Sequence, residues 1–268
     1  MHFRKTGQFY GVTSKTLRLQ EMTLTDTEYT EPKVDWHYHE NAYFTFILEG
    51  KVLEGNKKET YHCGAGDLLF HHWQEPHFNI KPAGFTRGFH LELRPGWFRQ
   101  FDLPENLLEG SHKLIHPHHR LLFYRLFAAF RQYADQPAVL DSLLVDLFAD
   151  LGRTPVVKGS DFPRWVLHLE QLLFDEPESR HWRLNELAAA TAVHPVHLSR
   201  AFPSYFGHRL SDVLQAMKLH QAMRLLSDDR HNLAAIAAEC GFADQSHFIR
   251  AFRKSQGMTP LAYRRLLR

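Results

Sequence analysis

Cysteine is scarce in this sequence, and it has no long apolar run. Only Cys63 and Cys240 occur among 268 residues, which is too few for a disulfide framework and is typical of a reducing cytoplasm. The longest apolar runs, such as residues 43–48, fall far short of the roughly 20 residues that a membrane-spanning helix needs. The first eleven residues are not followed by the apolar stretch of a secretory signal. These absences exclude a membrane protein, a secreted mini-protein and a fibre.

Charge is unevenly distributed, although the whole chain is nearly balanced at +2. Residues 180–268 carry 13 Lys and Arg against 6 Asp and Glu, a net charge of +7. The remaining residues carry 19 against 24, a net charge of −5. Basic charge gathered into one third of a chain favours a polyanionic partner, most often nucleic acid, although a solvated surface has a similar composition.

Turns and hydrophobic periods divide the chain into a β part followed by an α part. From residue 8 to about 95, short runs rich in Tyr, Phe, Thr, Ile and Leu alternate with Gly-containing turns, which predicts the strands of a jelly roll or barrel. From Pro117 the apolar period becomes helical, and the stripe at 140–151 predicts either a core face or a dimer seam. Residues 152–161 contain Gly, Pro and Ser between two helical patterns and predict an interdomain linker.

An internal repeat lies in the basic C-terminal part. Residues 184–188 align with 233–237 at an offset of 49, and beyond the turn the offset is 50 because the second copy has one extra residue. Each copy predicts a short helix, a small turn residue (Ala192 or Gly241) and a second helix. A helix-turn-helix needs this arrangement, since small residues permit the tight turn and close helix packing. Two copies in register make the prediction specific.

Residues 184–207 and 233–265 resemble the AraC/XylS family of transcriptional regulators. The second stretch holds the family's most recognisable segment, GFADQSHFIRAFRK followed by GMTPLAYRR. The resemblance implies two recognition helices in successive major grooves of DNA. It also implies a long helix between them, at roughly 211–226.

The candidate base-reading residues lie in the N-terminal halves of the two predicted recognition helices. Gln suits adenine, Arg suits guanine or a phosphate, and Val or Ile suits the thymine methyl group. Asp244 is expected to cap the second recognition helix, and an ion pair with Asp244 or Glu239 is the alternative role for Arg250. The cations expected to contact the DNA backbone are Arg253, Lys254, Arg264 and Arg265. The candidate readers are Val196, His197, Ser199 and Arg200 in the first copy, and Gln245, Ser246, His247, Ile249 and Arg250 in the second.

The first copy departs from the family pattern at three positions. Ala192 replaces the usual turn glycine, and His194 stands where a capping serine is common. Pro203 lies inside the expected second helix, where it lacks a backbone N–H and clashes with the carbonyl of Ser199. That helix should therefore bend or end near Phe202.

Residues 37–39, the turn at 64–67 and residues 76–77 resemble the two motifs of the cupin family. The resemblance implies a small jelly roll whose interior holds one ligand or a metal ion. The family's metal-binding glutamate is missing, since Tyr43 occupies its position and Glu40 points to the opposite strand face. Six aromatic residues are predicted to form the core of this fold: Trp36, Phe44, Phe46, Phe70, Trp73 and Phe78.

Alternation along one strand predicts that His37, His39, Tyr43 and Thr45 point the same way, towards an interior site that also includes His77. Three interpretations stay open. The histidines are a hydrogen-bonded structural set, or they hold a metal through His37, His39 and His77, or they contact an effector. We carry forward the effector interpretation, with His37, His39, Tyr43 and His77 as the contacts and with no resident cofactor or metal.

These observations predict an α+β multidomain protein with an N-terminal cupin-like β jelly roll plus helices and a C-terminal all-α domain with two helix-turn-helix motifs. The predicted division is an effector-sensing domain at 1–105, a helical dimerisation segment at 106–153, a linker at 154–161 and a DNA-binding domain at 162–268. We expect a cytoplasmic, non-enzymatic homodimer that binds a bipartite site on double-stranded DNA and responds to a small-molecule effector. RNA polymerase is a further candidate partner. The alternative is a metal-dependent cupin enzyme with a helical appendage.

Overall fold

A computed structural model describes residues 2–104, 110–132, 136–153, 162–174 and 181–268, and the chain forms two compact units. Unit 1 comprises Met1–Ile115 and Phe123–Val145, and unit 2 comprises His116–Leu122 and Asp146–Arg268. No helix within the described ranges is both long and apolar enough to cross a membrane. The predicted linker at 154–161 lies outside the described residues, and the predicted domain boundaries stay predictions.

Unit 1 is built mainly of short strands. They are β1 (His2–Arg4), β2 (Val12–Arg18), β3 (Met22–Glu28), β4 (Lys33–His39), β5 (Ala42–Glu49), β6 (Lys51–Asn56), β7 (Thr60–Gly64), β8 (Leu68–His71), β9 (His77–Ile80), β10 (Arg87–Leu93) and β11 (Ser111–Lys113). The strands form a five-stranded sheet in the order β1-β4-β9-β6-β7 and a six-stranded sheet in the order β11-β8-β5-β10-β3-β2. All pairs are antiparallel except β1 with β4. The predicted cupin-like β fold is confirmed.

The chain passes from the six-stranded sheet to the five-stranded sheet at Gly50, between β5 and β6. Gly50 has a φ of 80°, and a Cβ at this position would lie 2.0 Å from the carbonyl oxygen of Phe85. Only glycine fits a left-handed backbone in such close contact with another chain segment. Gly50 is therefore the corner at which the chain passes from one sheet to the other.

The helices are α1 (Pro95–Gln100), α2 (Pro117–Gln132), α3 (Pro137–Arg153), α4 (Arg164–Phe174), α5 (Leu184–Ala190), α6 (Pro195–Phe206), α7 (Leu210–Leu226), α8 (Leu233–Glu239), α9 (Gln245–Gln256) and α10 (Pro260–Leu267). The short helix α1 was not predicted from the sequence. The apolar stripe of α3 is buried within the single chain at Leu140, Leu144 and Leu147, so the core-face interpretation holds for these residues.

Strand β5 shows little alternation in its sequence because both of its faces are buried. Tyr43 lines an interior cavity, while Phe44 and Phe46 point to the other side of the sheet and pack on α2. The ring centroids of Phe44 and Phe123 are 5.1 Å apart, and those of Phe46 and Tyr124 are 4.7 Å apart. The helix therefore covers the outer face of the six-stranded sheet in unit 1.

The prediction of a core position is wrong for two of the six aromatic residues. Trp36 is 38% exposed and Trp73 is 51% exposed. Trp36 precedes His37 on β4, and because successive side chains alternate across a strand, the inward-facing His37 leaves Trp36 on the outer face. Trp73 lies in the loop between β8 and β9. The remaining four, Phe44, Phe46, Phe70 and Phe78, are buried or half-buried.

Candidate functional site

Two helix-turn-helix copies lie in unit 2 where the repeat predicts them. The first comprises α5 and α6, the second comprises α8 and α9, and α7 connects them. Four residues separate the helices of the first copy and five separate those of the second, so the extra residue lies in the second turn as predicted. The linking helix begins at Leu210, one residue earlier than predicted.

The turn of the first copy contains an alanine in a glycine conformation. Ala192 has a φ of 55°, and Gly241, its counterpart in the second copy, has a φ of 69°. A left-handed backbone is unfavourable for a residue that has a Cβ. The substitution of the turn glycine therefore leaves the shape of the turn intact but introduces strain.

Both second helices are capped at their N-termini by a side chain. Asp244 caps α9, and its Oδ1 accepts a hydrogen bond of 2.6 Å from the backbone N–H of His247, as predicted. His194 caps α6, and its Nδ1 accepts a longer bond of 3.3 Å from the N–H of Val196. The imidazole therefore takes the role that serine has in the family pattern.

The sequence predicts that α6 bends or ends near Phe202, and of these two alternatives an end at Phe202 is wrong. The helix continues to Phe206 with Pro203 inside it, and it ends at Gly207, whose backbone N–H donates to the carbonyl of Pro203 over 2.9 Å. Phe202 and Phe206 are both buried, and their rings stack at 4.3 Å. Pro203 removes one hydrogen bond and crowds the carbonyl of Ser199, and the buried packing of Phe202 and Phe206 stabilises the helical turn beyond it.

Most of the candidate base-reading residues are accessible. Val196, His197, Ser199 and Arg200 are exposed, as are Gln245, Ser246 and Arg250, whereas His247 and Ile249 are half-buried. Nδ1 of His247 accepts from the N–H of Ala243 over 3.4 Å, so this imidazole also stabilises its own turn. Within the described ranges Arg250 forms no ion pair with Asp244 or Glu239. Contact of these residues with bases stays a prediction.

One of the four cations expected to contact the DNA backbone also forms hydrogen bonds inside the protein. The guanidinium of Arg264 donates to the carbonyls of Leu226 at 3.1 Å and His231 at 2.7 Å. These bonds tie α10 to the end of the linking helix, and a phosphate contact of Arg264 stays a prediction. The other three cations are exposed: Arg253, Lys254 and Arg265.

Unit 1 contains a cavity of about 40 Å³. His37 and His39 reach it from β4 in the five-stranded sheet, whereas Tyr43 and Thr45 reach it from β5 in the six-stranded sheet. The prediction that these four side chains share one strand is wrong, since the chain turns between residues 39 and 42. They still meet, because the two strands belong to different sheets that both contribute to the cavity wall.

The third predicted histidine joins this group through strand pairing. His77 on β9 is the cross-strand partner of His37, and their ring centroids are 4.1 Å apart. The Nδ1 atoms of His37 and His77 lie 2.9 Å and 3.0 Å from the backbone carbonyls of Asp35 and Glu75. A carbonyl only accepts hydrogen bonds, so each Nδ1 carries the proton and each Nε2 keeps a lone pair. His77 Nε2 lies 2.8 Å from the Tyr43 hydroxyl, which therefore donates to it.

The ligand atoms of His37, His39 and His77 all lie within 4.8 Å of one another. A second group of ligand atoms, from Glu54, His71 and His77, is equally close. Neutral imidazoles with free lone pairs and a carboxylate are donors that bind divalent transition metals. The residues present therefore fit a metal ion as well as a polar ligand.

Glu54 and His71 were missed as site residues. Glu54 is buried on β6, its Oε1 lies 2.6 Å from Nε2 of His71, and its Oε2 accepts from the amide of Asn79 over 3.0 Å. Burial would raise the pKa of the Glu54 carboxyl, but the charge of His71 and its hydrogen bond outweigh burial and lower this pKa to about 2. The available signal was the alternation of Val52 and Glu54 on one face of β6.

His90 on β10 is a further cavity residue that was missed. The ring of Phe9 stacks on it with a centroid distance of 3.7 Å. Burial lowers the pKa of His90 and of His77 to about 3, and that of His37 to about 4. These imidazoles are therefore neutral near pH 7, and they face the cavity as hydrogen-bonding groups rather than as cations.

Comparison with known proteins identifies the C-terminal part. Residues 187–266 match a family described as a helix-turn-helix domain. The chain is 24% identical over 231 residues to the arabinose operon regulatory protein of Salmonella typhimurium, with 81% of each chain covered. It is 23% identical over 141 residues to the uncharacterized HTH-type transcriptional regulator YisR of Bacillus subtilis. This match spans about half of the relative's length, 49%. A crystal structure of ToxT from Vibrio cholerae bound to unsaturated fatty acid covers 92% of this chain and 96% of its own, with 12% identity and a TM-score of 0.39.

Proposed function

We propose that this chain, whose residues 187–266 match a helix-turn-helix domain family, is a transcriptional regulator of the AraC/XylS type that binds DNA through both copies and responds to a small molecule in the cavity of unit 1. One observation carries this proposal. Two complete helix-turn-helix copies present exposed polar residues at the N-terminal halves of α6 and α9, which is the half of a recognition helix that meets base edges.

The linking helix supports binding to two neighbouring grooves. Helix α7 has 17 residues and spans about 25 Å at 1.5 Å per residue. Successive major grooves on one face of DNA are roughly 34 Å apart, so a rigid connector of this length is suited to hold two recognition helices at that spacing. The net charge of +7 on residues 180–268 adds attraction for phosphates.

The DNA-binding proposal is tested by capture of sheared genomic DNA with the purified chain, followed by sequencing. We expect an enriched site with two short blocks about one helical turn apart. Arg250→Ala and Gln245→Ala should each weaken binding by roughly ten- to a hundredfold and relax the base preference at one position, whereas Lys254→Ala should weaken all sequences alike. An equal, sequence-independent loss in all three variants would refute the assignment of readers.

The cavity supports a small, polar effector. The Nε2 atom of His37 is an acceptor, and the carboxylate of Glu54 is a buried charge that accepts further hydrogen bonds. A volume of about 40 Å³ admits few non-hydrogen atoms. We infer that the effector donates hydrogen bonds to these groups and that its binding shifts the chain between conformations with different affinity for DNA.

The effector proposal is tested by screening small polar compounds for an increase in the melting temperature of the full chain. His37→Leu should abolish the increase given by any hit, because it removes the Nε2 acceptor from the cavity wall. His62→Leu is the matched control, since His62 is exposed on β7. A hit whose effect survives His37→Leu would place the effector elsewhere.

A metal ion in the same cavity is a second candidate, favoured by the close ligand atoms of His37, His39 and His77 and by the second close group of Glu54, His71 and His77. The metal content of the purified chain discriminates between a polar effector and a metal ion. One equivalent of bound metal per chain that is lost in His37→Gln and His39→Gln would revive the metal-dependent cupin interpretation. Metal content that these substitutions leave unchanged would remove it.

Three further parts of the proposal concern assembly and place of action: a homodimer, contact with RNA polymerase and a cytoplasmic location. A protein that binds two successive grooves gains affinity when a second copy occupies an adjacent site. Sedimentation equilibrium of the full chain should give twice the mass of 31.4 kDa. A monomer at micromolar concentration, free and with DNA, would contradict the homodimer.

A further inference from the structure

A second group of histidines lies in unit 2, and the proposed function makes no use of it. His116 immediately precedes α2, and His118 and His119 lie in the first turn of that helix. Asp150 lies in the last turn of α3, and His208 lies between α6 and α7. Three separate chain segments therefore bring four imidazoles and one carboxylate together.

The group is arranged around the carboxylate of Asp150. Its Oδ1 lies 2.7 Å from Nε2 of His208, and its Oδ2 lies 3.1 Å from Nε2 of His119. The ligand atoms of His116, Asp150 and His208 all lie within 4.8 Å of one another. The ring of His118 stacks on that of His208 with centroids 4.1 Å apart, which completes a compact set of nitrogen and oxygen donors.

Most of this group is withdrawn from solvent. His116, His119 and Asp150 are 5%, 3% and 4% exposed. Within the described part of the chain, Nδ1 of His119 and Nε2 of His118 are buried without a hydrogen-bond partner.

We propose that Asp150, His116 and His208 form a site for Zn²⁺ in unit 2, with the fourth position open to a water molecule. Zinc accepts nitrogen and carboxylate ligands at about 2.0–2.2 Å in a tetrahedron, which places neighbouring ligand atoms roughly 3.3 Å apart. Asp150 and His208 lie 2.7 Å apart, and no two ligand atoms of the group are more than 4.8 Å apart, so small side-chain rotations would complete the site. The carboxylate replaces one of the nitrogen or sulfur ligands that zinc has in other structural sites.

The site has a structural consequence for the DNA-binding part. His208 is followed directly by Arg209, the N-cap of α7. A metal that holds His208 against the start of α2 and the end of α3 would fix the position from which the linking helix begins. Zinc should therefore stabilise unit 2, since an ion that binds only the folded chain adds its binding free energy to folding.

The test is zinc binding by the metal-free full chain, measured in competition with a chromophoric chelator. We expect the affinity to fall at least a hundredfold in Asp150→Asn and in His208→Gln. The matched control is a double variant, His37→Gln with His77→Gln, which removes donors from the cavity of unit 1 and should retain zinc binding. Co²⁺ bound to the wild type should show the intense visible absorption of tetrahedral coordination.

Three results would overturn the proposal: no zinc binding by the wild type, unchanged affinity in both Asp150→Asn and His208→Gln, or loss of all binding in the cavity variant alone. Circular dichroism checks that each variant folds. Should Asp150→Asn not fold, the partly exposed His208 provides the decisive variant. X-ray absorption at the zinc edge of the wild type adds an independent readout, and a shell other than nitrogen and oxygen at about 2.0–2.2 Å would count against the site.

Discussion

The carboxylate of Glu54 and the imidazole of His71 lie 2.6 Å apart, and both side chains are almost completely buried. They reach each other from different sheets, Glu54 from β6 and His71 from β8. Their contact therefore joins the two sheets of unit 1 beside the cavity. An ionised carboxylate in this position is tolerated because the imidazole and the amide of Asn79 both bond to it.

Glu54→Gln should destabilise unit 1 by about 3 kcal/mol, since removal of one partner of a buried pair leaves the other uncompensated. The pKa of Glu54 is about 2, below its ordinary value of 4.5, so its contribution to the free energy of unfolding is complete above pH 4.5 and is lost as the pH falls towards 2. Urea unfolding of both proteins at several pH values measures this. The control Glu40→Gln removes an exposed carboxylate and should change stability by less than about 0.5 kcal/mol.

The buried cavity histidines should make unit 1 sensitive to acid. Burial lowers the pKa of His90 from 6.5 to about 3 in the folded chain. As the pH falls, the unfolded chain therefore takes up a proton on this imidazole before the folded chain does. Stability should therefore fall as the pH drops below 6.5, by about 1.4 kcal/mol per pH unit for each such imidazole. Urea unfolding at pH 7, 6 and 5 should show a shallower decline in His90→Gln. Equal stability of the wild type at pH 7 and pH 5 would contradict the expectation.

The two turns of the repeat should respond oppositely to exchange of glycine and alanine. Ala192→Gly should stabilise unit 2 by up to about 1 kcal/mol, because relief of the left-handed strain exceeds the added chain entropy of the unfolded state. Gly241→Ala should destabilise it by at least as much. Its φ is also positive, and a Cβ there would lie 3.0 Å from Nδ1 of His181. Thermal unfolding of the two single variants measures both changes in stability. Changes of the same sign would be inconsistent with the equivalence of the two turns.

The caps of the two recognition helices differ in strength. Asp244→Ala should destabilise unit 2 by about 1 kcal/mol, since it removes the acceptor for the N–H of His247. His194→Asp should stabilise it, because a carboxylate is a better N-cap than an imidazole and interacts favourably with the helix dipole. Denaturant unfolding measures both changes. Glu239→Ala, which removes an exposed acidic side chain from the end of α8, should have little effect.

The C-terminal part was predictable in detail because it contains two copies of one motif, and each copy could be aligned with the other. The turn positions 192 and 241, the cap Asp244 and the extra residue of the second turn all follow from one alignment of two short segments. The length of α6 did not follow. A proline inside a helix is unfavourable on its own, and the buried packing of Phe202 and Phe206 around it depends on the tertiary structure.

The cavity was predictable only in part. Its histidines were recognisable by their spacing, but the assignment of His37 and Tyr43 to one strand was wrong because the tight turn at residues 40–41 carries neither glycine nor proline. Glu54 was not recognised because its partners are 17 and 25 residues further along the chain. Strand pairing decides which distant residues meet, and pairing depends on sheet order, which local pattern does not encode.

The amino-acid sequence by itself therefore determined the order of β and α parts, the doubled helix-turn-helix and the surface positions of most candidate base readers. These features depend on local propensity and periodicity over short segments. Only the tertiary structure decided which side chains share the cavity, that Arg264 binds carbonyls of its own chain, and that His116, Asp150 and His208 converge. Each of these contacts joins segments far apart in the chain, and their proximity results from the packing of whole elements rather than from any spacing along the sequence.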